Sequence, residues 1–138
     1  MKQATASGSC QCGAVTYELY GASEELHHCH CSMCRKCHAS MFGTYATIAR
    51  ELFAITAGAE KLSTHKTTPE VKRHFCSQCG AHIYIDVDWK PDFVWYTPGT
   101  IDAGETGHPQ DTERHIWVGS KNPRYTICDQ LPQFDEFS

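Results

Sequence analysis

Seven of the nine cysteines in this 138-residue chain stand in three tight blocks. They are Cys10-Gln11-Cys12-Gly13, Cys29-His30-Cys31-Ser32-Met33-Cys34 and Cys76-Ser77-Gln78-Cys79-Gly80. C-x-C and C-x-x-C spacings offer two thiolates to one ion from a single turn, and zinc takes such donors in tetrahedral geometry. Three blocks supply one closed four-thiolate site and a second site with three. A zinc short of one protein ligand can bind and activate something else, so these blocks bear on chemistry as well as on folding. A disulfide framework fits badly, because cysteines one residue apart rarely bridge and nine is an odd number.

Length, with apolar residues at 41% and charged residues at 20%, reads as one soluble globular domain over residues 1–138. No apolar run approaches the roughly 20 residues a bilayer span needs. The stretch Met1 to Ser9 is polar and lacks the apolar core of a secretory signal, so a reducing, cytoplasmic setting is expected. The formal charge is −4 with cysteines counted as neutral. Two zinc ions on seven thiolates would bring it to about −7. Lysines and arginines are scattered apart from Lys72-Arg73, which argues against nucleic acid as a partner.

Short runs of β-branched and aromatic residues recur between glycine, proline or polar breaks. They predict strands at Ala14–Leu19, Met41–Ile48, Phe53–Ala57, Lys61–His65, His82–Asp86, Phe93–Thr97 and Arg114–Val118. Helical periodicity is poor, with one short turn expected at Ser32 to His38 and another at Ala49 to Leu52. The expectation is a mostly β, antiparallel domain in which metal clips stand in for a large core.

Cys12 and Cys79 are each followed by glycine, which takes the positive φ that a metal knuckle needs just after its second cysteine. This pairs Cys10 and Cys12 with Cys76 and Cys79 as a structural zinc, closed across a 63-residue gap. Cys29, Cys31 and Cys34 remain for a second ion. Cys34-Arg35-Lys36-Cys37 is itself a C-x-x-C, so Cys37 either closes this site at four or leaves the fourth position open. Three ligands already crowd six residues and no glycine follows Cys37, which favours the open site.

Gly8-Ser9-Cys10-Gln11-Cys12-Gly13, the Cys29–Lys36 block and Arg73-His74-Phe75-Cys76-Ser77-Gln78-Cys79-Gly80 resemble the signature of the glutathione-dependent formaldehyde-activating enzymes. That family also includes centromere protein V. Pro98-Gly99-Thr100-Ile101-Asp102, His115-Ile116 and Leu131-Pro132-Gln133-Phe134 match in order, so the resemblance spans nearly the whole chain. It implies a zinc-stapled fold of the Mss4-like, or β-tent, type. It also implies two zinc ions, structural at Cys10, Cys12, Cys76 and Cys79 and catalytic at Cys29, Cys31 and Cys34. A cysteine at position 37 departs from that pattern.

An open position on thiolate-ligated zinc suits an incoming thiol, whose pKa it lowers. The matching reaction is addition of a small thiol such as glutathione to a small aldehyde, or its carbon–sulfur lyase reverse. His30, His38 or water could move the proton. The competing readings are a non-catalytic zinc module and, ranked last because three thiolates weaken the metal as a Lewis acid, a zinc hydrolase. Among other residues, His27 and His28 are expected at the surface, His82 half-buried in a strand and Cys128 buried as a small hydrophobe. Tyr45, Tyr84, Trp89, Phe93 and Trp95 read as core or sheet-face aromatics. Lys72 and Arg73 read as a solvated patch, and the resemblance makes His115 a pocket residue.

Overall fold

A computed structural model of the chain describes residues 3–138; Met1 and Lys2, which open the polar N-terminal stretch, lie outside the described residues. Four strands, β1 (Ala6–Ser9), β2 (Thr16–Leu19), β5 (Phe53–Ala57) and β10 (Ile101–Gly104), form a small sheet in the order β10-β1-β2-β5. Seven more, β3 (Glu25–Cys29), β4 (Gly43–Ala49), β6 (Leu62–Thr68), β7 (Val71–Cys76), β8 (His82–Val87), β9 (Phe93–Tyr96) and β11 (Glu113–Ile116), form a large one. Its order is β11-β3-β4-β9-β8-β7-β6. The helix α1 (Ser32–His38) falls where a helical turn is expected, and a 3-10 turn covers Arg50–Leu52.

Every predicted strand has a counterpart, with ends shifted by a few residues. The four strands that composition does not reveal are β1, β3, β7 and β10. Their sequences, such as Glu-Leu-His-His-Cys in β3 and Val-Lys-Arg-His-Phe-Cys in β7, are poor in β-branched residues. β1, β3 and β7 are strands because neighbours pair with them on both sides, and β10 because it pairs with β1 at the sheet edge, a case of context overriding propensity. The sheets are also not wholly antiparallel: β11 lies parallel to β3, with Ile116 opposite Cys29. A parallel pair needs a long crossover, and most of the chain lies between these two strands.

Alternation along the strands divides the large sheet into two faces. Ala46, Ile48, Ile83, Val94 and Tyr96 point towards the small sheet and pack with Val15, Tyr17 and Leu19 in a continuous core. Ile48, Ile83, Val94, Tyr96, Val15, Tyr17 and Leu19 are each at most 1% exposed. Full burial of such side chains contributes about 1.5–3 kcal/mol apiece, so the fold has a real core besides its cysteine clips. The opposite face is built by register: His27 pairs with Tyr45, Cys29 with Ile116, Arg73 with Ile85, and Ile85 with Trp95. The candidate site occupies this second face. Among the described residues, no helix is long and apolar enough to cross a membrane.

Candidate metal centre

Cys10 and Cys12 sit in the turn joining β1 to β2, while Cys76 ends β7 and Cys79 lies in the turn before β8. The four sulfurs all lie within 4.8 Å of one another, so the cluster ties a hairpin of the small sheet to one of the large sheet. The two turns share one construction. Gly13 and Gly80 both have φ of 80°, and their N–H groups donate to the Cys10 and Cys76 carbonyls at 3.1 and 2.8 Å. The Val15 N–H donates to the Cys10 sulfur at 3.2 Å. Sulfurs about 2.3 Å from a tetrahedral zinc stand about 3.8 Å from one another. The Cys10–Cys12 and Cys12–Cys76 sulfur separations of 3.7 and 3.8 Å match that edge, and the four-thiolate set fits zinc.

Cys29, Cys31 and Cys34 form the second cluster, again with all sulfurs within 4.8 Å. Cys29 ends β3, Cys31 is the N-cap of α1 and Cys34 lies in the helix, buried. The Cys31 sulfur accepts from the Cys34 N–H at 3.3 Å, so helix capping holds two donors at fixed spacing. Cys37 stays outside this group. It lies three residues beyond Cys34 in the same helix, about 4.5 Å further along the axis. Cys37→Ser is therefore expected to leave the metal content of the folded protein unchanged, as elemental analysis would show.

The protonation of the three thiols also fits a cation. The Cys31 and Cys34 side chains and burial push the Cys29 thiol up, whereas bonds from Cys29 and Cys34 pull Cys31 down to about 2. Ionising all three in a half-buried pocket requires a compensating metal charge.

These three cysteines line a cavity of about 490 Å³ on the exposed face of the large sheet. Arg73 closes its floor and is 3% exposed, not part of a solvated patch. Its Nε donates to Thr67 Oγ1 at 3.1 Å, one Nη to the Tyr45 hydroxyl at 2.9 Å and the other to the Cys34 sulfur at 3.5 Å. Register on β7 turns Arg73 inward, where its charge faces the sulfurs. Tyr45 is a site residue as well as a sheet-face aromatic. Its hydroxyl lies 2.6 Å from His38 Nε2, and burial followed by the Cys34 charge holds its pKa well above the usual value. Burial, with His82 and Arg73 nearby, lowers His38 to about 4, so the imidazole is neutral at physiological pH. Gly43 permits this contact: a Cβ there would stand 2.8 Å from the His38 ring and 2.9 Å from the Tyr45 hydroxyl.

His27 is 2% exposed and lines the cavity, contrary to a surface placement, because β4 and β11 flank β3 on both sides. His28 is half-buried against Thr44 and Glu113. His30 is fully buried and points away from the cavity: its Nε2 meets His115 Nδ1 at 2.8 Å, and His115 Nε2 meets Asp129 at 3.0 Å. This chain of imidazoles anchors the C-terminal segment beside β11, which removes His30 as a proton donor and His115 as a pocket residue. Cys128, expected to be buried, is exposed in that segment. His82 is half-buried as expected, and Trp89 stands at the cavity rim, 48% exposed.

The model of the glutathione-dependent formaldehyde-activating enzyme family matches residues 5–120. The chain belongs to that family. As a member, it is 35% identical to a Fusarium vanettenii protein over 61% of this chain and 46% of that one. It is 31% identical to a Penicillium rubens protein over 75% and 65%, respectively. Both relatives are named provisionally as glutathione-dependent formaldehyde-activating enzymes, and this chain spans less than two thirds of the length of either. A crystal structure of a Rhodobacter sphaeroides protein superposes with a TM-score of 0.61 at 22% identity, covering 92% of this chain and 98% of that one. That likeness shows the fold alone, and this chain is mostly β with two cysteine clusters suited to metal.

Proposed function

We propose that this chain is a zinc-dependent carbon–sulfur lyase acting on thiol–aldehyde adducts. One observation carries the reading: three sulfurs, and not four, gather at the wall of a 490 Å³ cavity. The ligand sets are Cys10, Cys12, Cys76 and Cys79 for a structural ion, and Cys29, Cys31 and Cys34 for the working one. Residues 1–138 act as a single domain, in a reducing compartment such as the cytoplasm that keeps these thiols available. The family name points to glutathione and formaldehyde as the reactants.

A zinc ion on the three sulfurs supplies the charge that keeps an incoming thiol ionised at neutral pH. The chain's own groups do the rest. The apolar cavity wall excludes water from the carbonyl. The thiol sulfur attacks the carbonyl carbon, the C–S bond forms, and the π pair moves to oxygen. That oxygen takes its proton from the Tyr45 hydroxyl, and the Arg73 guanidinium 2.9 Å away stabilises the phenolate left behind. His38, behind Tyr45 and away from the cavity, links the hydroxyl to the protein's surface. In the lyase direction the adduct's hydroxyl passes its proton to the Tyr45 oxygen as Tyr45 hands its own to the neutral His38 imidazole, C=O re-forms and the thiolate leaves.

Tyr45→Phe keeps the shape of the site and removes only this proton. Hemithioacetal breakdown is expected to slow by about 10²–10⁴, with metal content unchanged. A variant that turns over like the parent would take Tyr45 out of the mechanism.

A further inference from the structure

We infer that the thiol handled at this cavity carries an aromatic body, in place of the charged peptide of glutathione. The inference rests on the open-site reading above and adds the substrate class. The chain has three tryptophans, Trp89, Trp95 and Trp117, and all three line the cavity beside the cysteine trio. Phe137 joins them, with ring centroids 5.3 Å from Trp117 and 6.2 Å from Trp89 in edge-on packing. Main-chain bonds put it there: Trp117 N–H donates to Glu136 O and Val118 N–H to Phe134 O, both at 3.0 Å. The C-terminal segment thus forms one wall. Trp117 itself has φ of 56°, a left-handed conformation that costs a bulky residue strain and that clusters at functional positions.

Charge points the same way. Glutathione brings two carboxylates and an ammonium group, and burying these without partners is costly. Arg73 is the sole lysine or arginine lining the cavity among the described residues, and each of its three nitrogens is already engaged. The smaller cavity next to it, about 270 Å³, adds Lys90 and Arg114, but Arg114 is held by Glu25 at 3.1 Å. Apart from Arg73 and Glu70, whose carboxylate would repel those of glutathione, the main cavity offers neutral polarity. Both ring nitrogens of His27 and the indole N–H of Trp95 are buried without a hydrogen-bond partner. Their rings pack edge-on, centroids 5.0 Å apart, so they can receive one uncharged polar atom of an otherwise flat, apolar ligand.

The test uses cobalt-substituted protein with phenylmethanethiol, glutathione and 2-mercaptoethanol as probes. Tryptophan emission reports the aromatic wall, and the cobalt absorption band reports thiol binding. Phenylmethanethiol is expected to saturate both signals at a concentration about tenfold below glutathione. Trp117→Gly, which relieves the backbone strain, and Trp89→Ala, at an exposed rim, are each expected to weaken phenylmethanethiol by about fivefold and leave 2-mercaptoethanol unchanged. Glutathione binding as tightly as phenylmethanethiol, or variants that bind it like the parent, would overturn the aromatic assignment alone. A cobalt band that no thiol moves would overturn the open site, and this inference with it.

Discussion

Replacing Cys76 with serine is expected to strip one zinc ion per chain and to unfold the protein, or to melt it far below the parent. Cys76 is fully buried, ends β7, and belongs both to the four-sulfur cluster and to the core between the sheets. Structural zinc contributes apparent binding energies of about 10–16 kcal/mol at neutral pH, while a whole domain is stable by about 5–15 kcal/mol. Loss of one ligand in four therefore removes a large share of the total. The chain between Cys12 and Cys76 carries two of the four strands of the small sheet and four of the seven of the large one, so release of the clip also frees a long loop in the unfolded ensemble. Thermal unfolding followed by circular dichroism, with zinc counted on the purified variant, checks this. A variant that melts like the parent would break the assignment of these four residues to one structural ion.

Cys31→Ser is expected to do the reverse: zinc falls from two ions to one, catalysis disappears, and the fold stays. Serine is a good helix N-cap, so α1 keeps the cap that the Cys31 sulfur now supplies. The trio belongs to the smaller of two buried clusters, on the face away from the core between the sheets. A loss of about 1 kcal/mol would move the melting point by only a few degrees in a chain of this size. Hemithioacetal exchange measured by NMR should fall to the uncatalysed rate. Exchange that stays above the uncatalysed rate with one zinc bound would move the chemistry away from this cluster, and a parent that does not accelerate it at all would favour a non-catalytic zinc module.

How much of this was legible in the sequence follows from how local each feature is. Cys10 with Cys12, Cys76 with Cys79, and Cys31 with Cys34 are fixed by two- and three-residue spacings, and glycines after Cys12 and Cys79 mark the knuckles. Helix α1 is similarly local. By contrast, Tyr45, Arg73 and His27 reach the site through the register of β3, β4, β7 and β8, strands far apart in the chain. Two of these strands have compositions that do not announce a strand at all. Arg73 is a charged residue in a charged run, and nothing local distinguishes it from Lys72 beside it. The C-terminal wall was equally hidden: Phe137 matters because main-chain bonds lay residues 134–136 beside Trp117 and Val118. The chain of His30, His115 and Asp129 is likewise assembled by a parallel pairing across most of the sequence.

The central claim is that one of two zinc ions keeps a position open for a thiol. X-ray absorption at the zinc edge measures it most directly, on the zinc-loaded protein with and without an added thiol. Seven protein sulfurs shared by two ions predict an average of about 3.5 sulfur neighbours per zinc, rising to about 4 when phenylmethanethiol is added. An average of about 4 before any thiol is added, unchanged afterwards, would mean that Cys37 or another sulfur closes the site and would contradict the account.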